Sequence, residues 1–290
     1  MSLSAFYTPA RFGLSFELFP PKTADGDAEL FRHLAELMAF EPSYVTCTYG
    51  AGGSTRAKTL DVVERVAREF GCPVASHLTC VGATVDDLHA YLEDAQARGV
   101  QHIVALRGDP PKGETEFRAV EGGLRYANEL VRLIRASFPA FGIAVAGYPE
   151  KHLEASSHNV DLQNLKRKVD AGADIVITQL FYDNDDFFRF RDRCHALGIR
   201  VPIVPGVLPV TNLHQIRRIT SMCGARLPTA LVAALERCEQ QPEDQFEVGV
   251  DFATAQVQGL IDGQAPGVHF YVLNKSPATC RVLRAVTRPA

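Results

Sequence analysis

Eight short apolar runs recur along this chain, and they constrain its fold more than any other feature of the sequence. Each run has six to eight residues, is rich in Val, Ile and Leu, and is nearly continuous. Such continuity is typical of parallel strands that are covered on both faces. The predicted strands are Leu14–Phe19, Tyr44–Tyr49, Pro73–Cys80, His102–Gly108, Gly142–Pro149, Asp174–Phe181, Pro202–Pro209 and Val268–Asn274.

The segments between these runs have helical periodicity. Ala28–Ala39 places Leu30, Leu34 and Leu37 on one face, and Thr59–Phe70 follows the same pattern. Eight strand–helix units in strict alternation predict a (β/α)8 TIM barrel. A doubly wound open sheet is the structural alternative.

The regular spacing of the runs is broken once. About 60 residues separate the last two predicted strands, which leaves room for an extra helix near Thr229–Gln240 beside the normal one. No Ser/Gly-rich or Pro-rich linker interrupts residues 1–290, so the sequence predicts a single domain.

Composition excludes several classes of protein. The 290 residues are 46% hydrophobic with a net charge of −4, which argues against disorder and against a basic nucleic-acid-binding surface. The seven cysteines form no C-x-x-C motif, so neither a disulfide framework nor a cysteine zinc site is expected. No signal peptide and no membrane-spanning apolar run is visible. We therefore expect a cytoplasmic protein without a membrane or nucleic-acid partner.

Glu17 is the most unusual polar residue at a predicted strand end, where this fold carries its chemistry. It lies within the otherwise apolar stretch Leu14–Phe19. Loss of solvent should raise the pKa of a carboxyl group there, which suits a general acid. The alternative is a structural carboxylate paired with an arginine of the barrel.

The fourth strand is followed by Arg107, Gly108 and Asp109, which place a cation and an anion around a glycine. A glycine lets a ligand approach the backbone closely. This segment is therefore a candidate ligand contact. A local turn with a surface ion pair is the alternative.

A basic helix follows the fifth strand. Asp161, Asn164 and Lys168 share one of its faces, and Arg167 adjoins them. Lysine and arginine there could hold a phosphate, while aspartate and asparagine could hold a ribose. A solvated basic face is the alternative.

Two histidines near the same rim, His77 and His152, raise the question of a metal. No H-x-H or H-E-x-x-H motif occurs, so we expect no metal site. A satisfied barrel histidine or a cofactor contact is the favoured interpretation of each.

Nine motifs spread over nearly the whole chain carry a family resemblance. They are SFELFPPK (Ser15–Lys22), YVTCTYGAGGSTR (Tyr44–Arg56), SHLTC (Ser76–Cys80), HIVALRGDPP (His102–Pro111), YPEKH (Tyr148–His152), DLQNLKRKVDAGAD (Asp161–Asp174), ITQLFYD (Ile177–Asp183), PGVLPV (Pro205–Val210) and HFYVLNKS (His269–Ser276). No single motif would be specific. The set, in this order, resembles the methylenetetrahydrofolate reductase family in its short bacterial form.

The resemblance implies a (β/α)8 barrel that binds FAD noncovalently and uses NADH or NADPH as co-substrate. It implies ping-pong chemistry, in which the nicotinamide reduces the flavin and leaves. Methylenetetrahydrofolate then binds, opens to an iminium ion and receives the hydride. The protein contributes position and electrostatics to chemistry that the flavin carries.

Carried over by motif, Glu17 resembles the general acid that protonates the leaving folate nitrogen. Asp109 resembles a second catalytic carboxylate, near both flavin and pterin. The residues that match substrate contacts are Asp109, Gln179, Gln215 and Lys275, the last standing where some members have Arg. The residues that match cofactor contacts are Thr48, Tyr49, Ala51, His77, Arg107, Gly108, Asp109, Ala127, Tyr148, His152, Ala155, Asp161, Asn164, Arg167 and Lys168.

The chain has no tryptophan, so any aromatic contact with a flavin or a folate must come from Tyr or Phe. Tyr49, Tyr148, Phe181 and Tyr182 are the candidates. Ile219 stands where some family members have an aromatic residue.

Two other functions stay open on sequence grounds. One is an FAD-dependent barrel dehydrogenase of the proline-oxidising type, and the other is a non-catalytic folate- or flavin-binding barrel. The presence of Glu17, Asp109 and Gln179 argues against the second. The resemblance also implies a homo-oligomer. It further predicts no inhibition by S-adenosylmethionine, because the family's regulatory module has no counterpart before Ala290.

Overall fold

The strands of the chain form one parallel barrel. A computed structural model describes residues 2–49, 56–110, 113–114 and 116–288. Every strand pairing within them is parallel, and the strand order follows the chain until the last strand returns to the first. The predicted TIM-barrel fold is thus confirmed. The strands are β1 Gly13–Leu18, β2 Tyr44–Cys47, β3 Val74–Thr79, β4 His102–Leu106, β5 Gly142–Gly147, β6 Ile175–Thr178, β7 Ile203–Val204, β8 Gly206–Val207 and β9 Gly267–Tyr271.

Helices alternate with these strands, as the apolar periodicity predicts. A short 3-10 helix, Leu3–Phe6, precedes β1. The α-helices are α1 Ala24–Met38, α2 Arg56–Phe70, α3 Val85–Ala97, α4 Ala127–Ser137, α5 His158–Asp170, α6 Asn184–Ala196, α7 Leu213–Cys223, α8 Thr229–Arg237, α9 Pro242–Asp262 and α10 Pro277–Ala285. None of the described helices combines the length and apolarity that a membrane crossing requires.

The seventh predicted strand is split in two by Pro205. Proline has no backbone N–H to donate, so it interrupts a ladder. The first half, β7, pairs with β6, and the second half, β8, pairs with β9. The carbonyl of Pro205 still accepts a hydrogen bond from the backbone of His269 at 2.9 Å. The two halves therefore close the barrel together as one broken strand.

The long segment before β9 holds the extra helix predicted near Thr229–Gln240, which is α8. It holds one more helix than predicted, because α7 and α9 accompany α8. Helix α9 packs against both α6 and α10 and so occupies the seventh position in the outer ring. Helices α7 and α8 are therefore additions after the broken strand.

Three apolar clusters make the core of the described residues. The largest lies between the strands and the ring of helices. Another packs α7 and α8 onto the segment that follows β8. The third fills the amino-terminal end of the barrel, where Leu3, Phe6 and Tyr7 pack against the inward side chains of Ile175 and Val204. The first residues of the chain thus close that end, and the carboxyl ends of the strands form the opposite end.

Candidate active site

Glu17 points into the barrel from β1 and lies against two histidines. Its Oε2 atom is 3.3 Å from Nε2 of His77 on β3 and 3.6 Å from Nε2 of His269 on β9. All three side chains are buried, and neither Nε2 atom has a hydrogen-bond partner among the described residues. The structure therefore concentrates one carboxylate and two imidazoles where the fold family places its chemistry.

The pKa expected for Glu17 is wrong in direction. Burial alone would raise it, but the charges and hydrogen-bonding capacity of His77 and His269 outweigh burial and lower the pKa of Glu17 to about 2. The structural alternative also needs correction, because the partners of Glu17 are imidazoles rather than an arginine. Glu17 is thus a carboxylate at neutral pH in the free protein.

A chain of buried hydroxyl groups continues from His269 toward the closed end of the barrel. Nδ1 of His269 is 2.8 Å from Oγ of Ser15, which is 3.4 Å from the hydroxyl of Tyr7. The hydroxyls of Tyr7 and Tyr44 are 2.7 Å apart. The strand register explains the first contact, because β1 and β9 place Ser15 directly beside His269.

Arg107, Gly108 and Asp109 lie at the carboxyl end of β4, as predicted. Gly108 has a φ of +89°, and a Cβ there would lie 2.8 Å from Val81, so the position requires glycine. Asp109 is exposed and does not pair with Arg107. Instead the guanidinium of Arg107 binds both carboxylate oxygens of Glu154, each at 2.6 Å.

The loop after β5 and the helix α5 bring several predicted cofactor residues together. Tyr148 and His152 contact edge to face, with their ring centroids 4.6 Å apart. The backbone N–H of His152 donates to Asp161 at 3.0 Å. Burial lowers the pKa of Lys168 to about 8, opposed by the charge of Asp161, and its ammonium donates to the carbonyl of Ala146 on β5.

Other predicted cofactor residues lie near the same rim with fewer mutual contacts. Tyr49 follows β2 in the chain and is buried, and its hydroxyl accepts a hydrogen bond from the guanidinium of Arg56. Asn164 accepts from Arg167 at 2.9 Å, and both are exposed on α5. Ala51 lies outside the described residues. The remaining positions are Thr48 after β2, Ala127 at the start of α4, and Ala155 before α5.

The predicted substrate residues are less concentrated. Gln179 follows β6, partly buried, with its side-chain oxygen accepting from the backbone of Leu180. Gln215 is exposed on the first turn of α7, and Lys275 is exposed after β9. In the described part of the chain, neither of these two contacts another predicted site residue through a side-chain hydrogen bond or ion pair.

Two of the four aromatic candidates are wrong. Phe181 is fully buried and stacks on Phe187, while Tyr182 is buried against Phe252. Neither can offer a ring face to a ligand. Tyr148 is partly exposed, and Tyr49 is buried in an edge-to-face contact with Tyr91.

Sequence reasoning missed His269 and Glu154. Glu154 is an exposed acid in a loop, and nothing in its sequence context marks it as a partner of Arg107. His269 carries a usable signal, because the first and last strands of a closed barrel are neighbours and their inward residues meet. No three His, Cys, Asp or Glu side chains in the described ranges are grouped as metal ligands would be.

Fold and site together define a class, that of TIM-barrel proteins with a buried carboxylate–imidazole cluster at the carboxyl end of the strands. A structure from Clostridium thermocellum, of an uncharacterized protein that binds two copies of 5-methyl-5,6,7,8-tetrahydrofolic acid, has the same fold. Its TM-score is 0.64 at 13% identity, and the match covers 98% of this chain and 97% of that one.

The sequence profile described as methylenetetrahydrofolate reductase matches residues 4–287. The 5,10-methylenetetrahydrofolate reductase of Escherichia coli is 39% identical over 94% of this chain and 91% of its own length. The methylenetetrahydrofolate reductase (NADH) 1 of Arabidopsis thaliana is 40% identical over 93% of this chain, which spans only 47% of that plant protein. The chain belongs to the methylenetetrahydrofolate reductase family.

Proposed function

We propose that this protein reduces 5,10-methylenetetrahydrofolate to 5-methyltetrahydrofolate, with FAD as a bound cofactor and NADH or NADPH as the hydride source. Family membership supports the reaction class, and the names of the plant relatives, which are NADH-dependent reductases, favour NADH. The observation that carries the proposal is the buried contact of Glu17 with His77 and His269 at the carboxyl end of the barrel. We also propose a cytoplasmic homo-oligomer of single-domain chains, on the family resemblance alone.

The residues beside this cluster fit a flavin nucleotide. Oγ1 of Thr79 and Nε2 of His77 are buried without hydrogen-bond partners among the described residues, and a Cβ on Gly108 would lie 3.1 Å from Cβ of Thr79. Arg107 and Lys168 supply the cations that a diphosphate needs, and Asp161 can accept from ribose hydroxyls. Bound FAD would carry the hydride between nicotinamide and folate.

The leaving folate nitrogen needs a proton. We assign the delivery of this proton to the Glu17 cluster, which consists of Glu17, His77 and His269. The low pKa of Glu17 keeps its carboxyl group ionised at neutral pH, so we assign the transferable proton to the whole cluster of this carboxylate and its two facing imidazoles. Burial excludes water from this cluster, which strengthens its electrostatic action on a substrate. Asp109, exposed at the rim, would act on the pterin from outside.

The decisive experiment uses the absorbance of the flavin. The purified protein should be yellow or take up FAD, bleach with NADH or NADPH, and recover its colour with 5,10-methylenetetrahydrofolate. Bleaching by proline instead would indicate the proline-oxidising alternative. A protein that cannot be loaded with FAD would contradict the proposal.

Glu17→Gln separates the two half-reactions. The amide cannot exchange a proton with the facing imidazoles and the folate nitrogen, so the variant should keep flavin reduction and lose folate reduction by at least about a hundredfold. Glu247→Gln is the control, because Glu247 is an exposed acid paired with Arg281 on the outer helices. If Glu17→Gln reduces folate as fast as this control, Glu17 takes no part in protonating the folate nitrogen.

A further inference from the structure

The turn that follows β9 has an unfavourable backbone conformation. Leu273 and Asn274 have φ values of +48° and +57°. Both values lie in the left-handed region, which asparagine tolerates but a bulky residue such as leucine rarely adopts. The N–H of Lys275 donates to the carbonyl of Val272 at 2.8 Å, so the chain reverses within four residues. Such a conformation persists only where the surrounding structure imposes it.

Asn274 joins this turn to the end of β1. Its Oδ1 atom accepts from the backbone N–H of Phe19 at 2.8 Å, and its Nδ2 atom donates to the carbonyl of Phe19 at 2.9 Å. Both directions are fixed, because a backbone N–H can only donate and a carbonyl can only accept. The last strand pair of β1 and β9 joins Glu17 to Tyr271. The amide of Asn274 therefore extends the contact between the two strands beyond their ladder.

The residues on either side of Asn274 are anchored as well. Leu273 is partly buried against the apolar cluster of α7 and α8. Ser276 is fully buried, and its hydroxyl donates to Glu36 on α1 at 2.6 Å. Between these anchors Lys275 is exposed, and its ammonium makes no hydrogen bond or ion pair within the part of the chain that the structure describes. The turn thus presents one exposed cation on a backbone that is fixed from both sides.

We propose that Asn274 is a positioning residue, which fixes Lys275 relative to Glu17 for the binding of folate. In the reaction proposed above, on which this inference rests, Lys275 contacts the substrate and the Glu17 cluster acts on the folate nitrogen. A folate that reaches both needs a constant spacing between them. The amide of Asn274 supplies it, because it bonds the turn that carries Lys275 to the strand that carries Glu17.

Asn274→Gly separates this clamp from the turn itself. Glycine adopts the left-handed conformation without strain, so the variant should keep the turn and lose only the two hydrogen bonds to Phe19. Asn274→Asp has nearly the same shape, but its carboxylate can only accept, so it loses the bond to the carbonyl of Phe19. If Asn274 served only to form the turn, glycine would replace it without loss.

The first test is hydrogen exchange at the backbone amide of Phe19 in the FAD-loaded protein. Pro20 and Pro21 carry no N–H, so the exchange of this amide is separated from that of the residues after it. The wild-type amide should be protected, and Asn274→Gly should exchange it at least about tenfold faster. Equal exchange would show that the clamp is absent in solution, and the proposal would fail whether or not the protein reduces folate.

The second test is the folate half-reaction, followed by flavin absorbance in a stopped-flow instrument at increasing 5,10-methylenetetrahydrofolate. This dependence gives the Kd of the folate and the limiting rate separately. Asn274→Gly, Asn274→Asp and Lys275→Met should each raise the Kd by about fivefold, the loss expected for one exposed charged contact. The limiting rate of flavin reduction by NADH should be unchanged in all three, which separates this effect from loss of the cofactor.

A double-mutant cycle tests whether Asn274 acts through Lys275. Adding Asn274→Gly to Lys275→Met should raise the Kd no further than Lys275→Met alone. Additive losses would overturn the proposal, and so would an unchanged Kd in Asn274→Gly or in Lys275→Met. If Asn274→Gly does not fold, the same cycle with Asn274→Asp decides.

Asn184→Ala is the matched control. Asn184 also joins two elements through its amide, with its Nδ2 atom donating to the carbonyl of Gln256 at 2.9 Å, but it does so between α6 and α9. This variant should leave both the Kd and the exchange at Phe19 unchanged. A Kd raised as much as in Asn274→Gly would trace the effect to general loss of stability and refute the proposal. A wild-type protein with a protected Phe19 amide but no folate half-reaction would refute the proposed function and, with it, this role of Asn274.

Discussion

Arg107 is a predicted contact of FAD, but in this structure its guanidinium is paired with the carboxylate of Glu154. The two side chains make a bidentate pair with both N–O distances at 2.6 Å. A flavin diphosphate that binds Arg107 must first displace this carboxylate. We therefore predict that Glu154→Gln binds FAD more tightly than the wild-type protein.

The size of the effect follows from the exposure of the pair. The side chain of Glu154 is 51% exposed and that of Arg107 is 21% exposed, so solvent screens much of the attraction. The hydrogen bonds from Arg107 lower the pKa of Glu154, so the pair favours its charged form. Half-exposed pairs contribute about 0.2–1 kcal/mol, and 1 kcal/mol is about fivefold in Kd. Glu154→Gln should therefore lower the Kd of FAD by up to about fivefold.

The assay is a titration of the apoprotein with FAD, followed by flavin fluorescence because the chain has no tryptophan. Rising salt should shrink the difference between the variant and the wild-type protein, since salt screens exposed pairs. The matched control is Glu247→Gln, which breaks another bidentate pair, with Arg281, at 3.0 and 2.8 Å and 52% and 47% exposure. That variant should leave FAD affinity unchanged.

The reasoning would be refuted by an unchanged Kd in Glu154→Gln. A weaker affinity would be equally decisive, because it would mean that Glu154 holds FAD rather than competing with it.

Two further predictions concern the cofactor helix and the core. The pKa of Lys168 is about 8, so its ammonium loses charge as the pH rises through that value, and FAD should then bind more weakly by up to about tenfold per unit. Lys168→Met should lack this dependence in the same titration, and an identical slope would contradict the role of Lys168. Phe187 is fully buried and stacks on Phe181 at 5.5 Å, so Phe187→Ala should cost about 3–5 kcal/mol of unfolding free energy in urea. A cost below about 1 kcal/mol would show that the two rings do not pack tightly.

The barrel could be predicted because buried parallel strands leave a simple trace in sequence. Their apolar runs are continuous, and each helix between them has its own period. The break at Pro205 was not predicted, because a run such as Pro202–Pro209 does not reveal which neighbour each half will pair with. Helix α7 was not predicted, because the length of the segment before β9 showed that extra structure was present but not how many helices that segment forms.

The clustering of polar residues at one end of the barrel could be predicted, because the carboxyl ends of parallel strands all lie on the same side. The pKa of Glu17 was not, because the prediction treated the carboxyl group as isolated in an apolar strand. Its true partners are His77 and His269, which come from strands far apart along the chain. Only the closed barrel brings β9 beside β1, so the identity of that second partner depends on tertiary structure.

The closed amino-terminal end of the barrel has a consequence for proton traffic during turnover. Leu3 and Phe6 are buried in the apolar cluster below the hydroxyl chain, so we expect water to reach Glu17 mainly from the opposite end of the barrel, where the proposed substrates would bind. A folate lying across that opening would isolate the cluster from bulk solvent. The proton that the folate nitrogen receives would then have to be bound to the cluster before the folate arrives. The cluster would take up another proton from solvent only after the product has left.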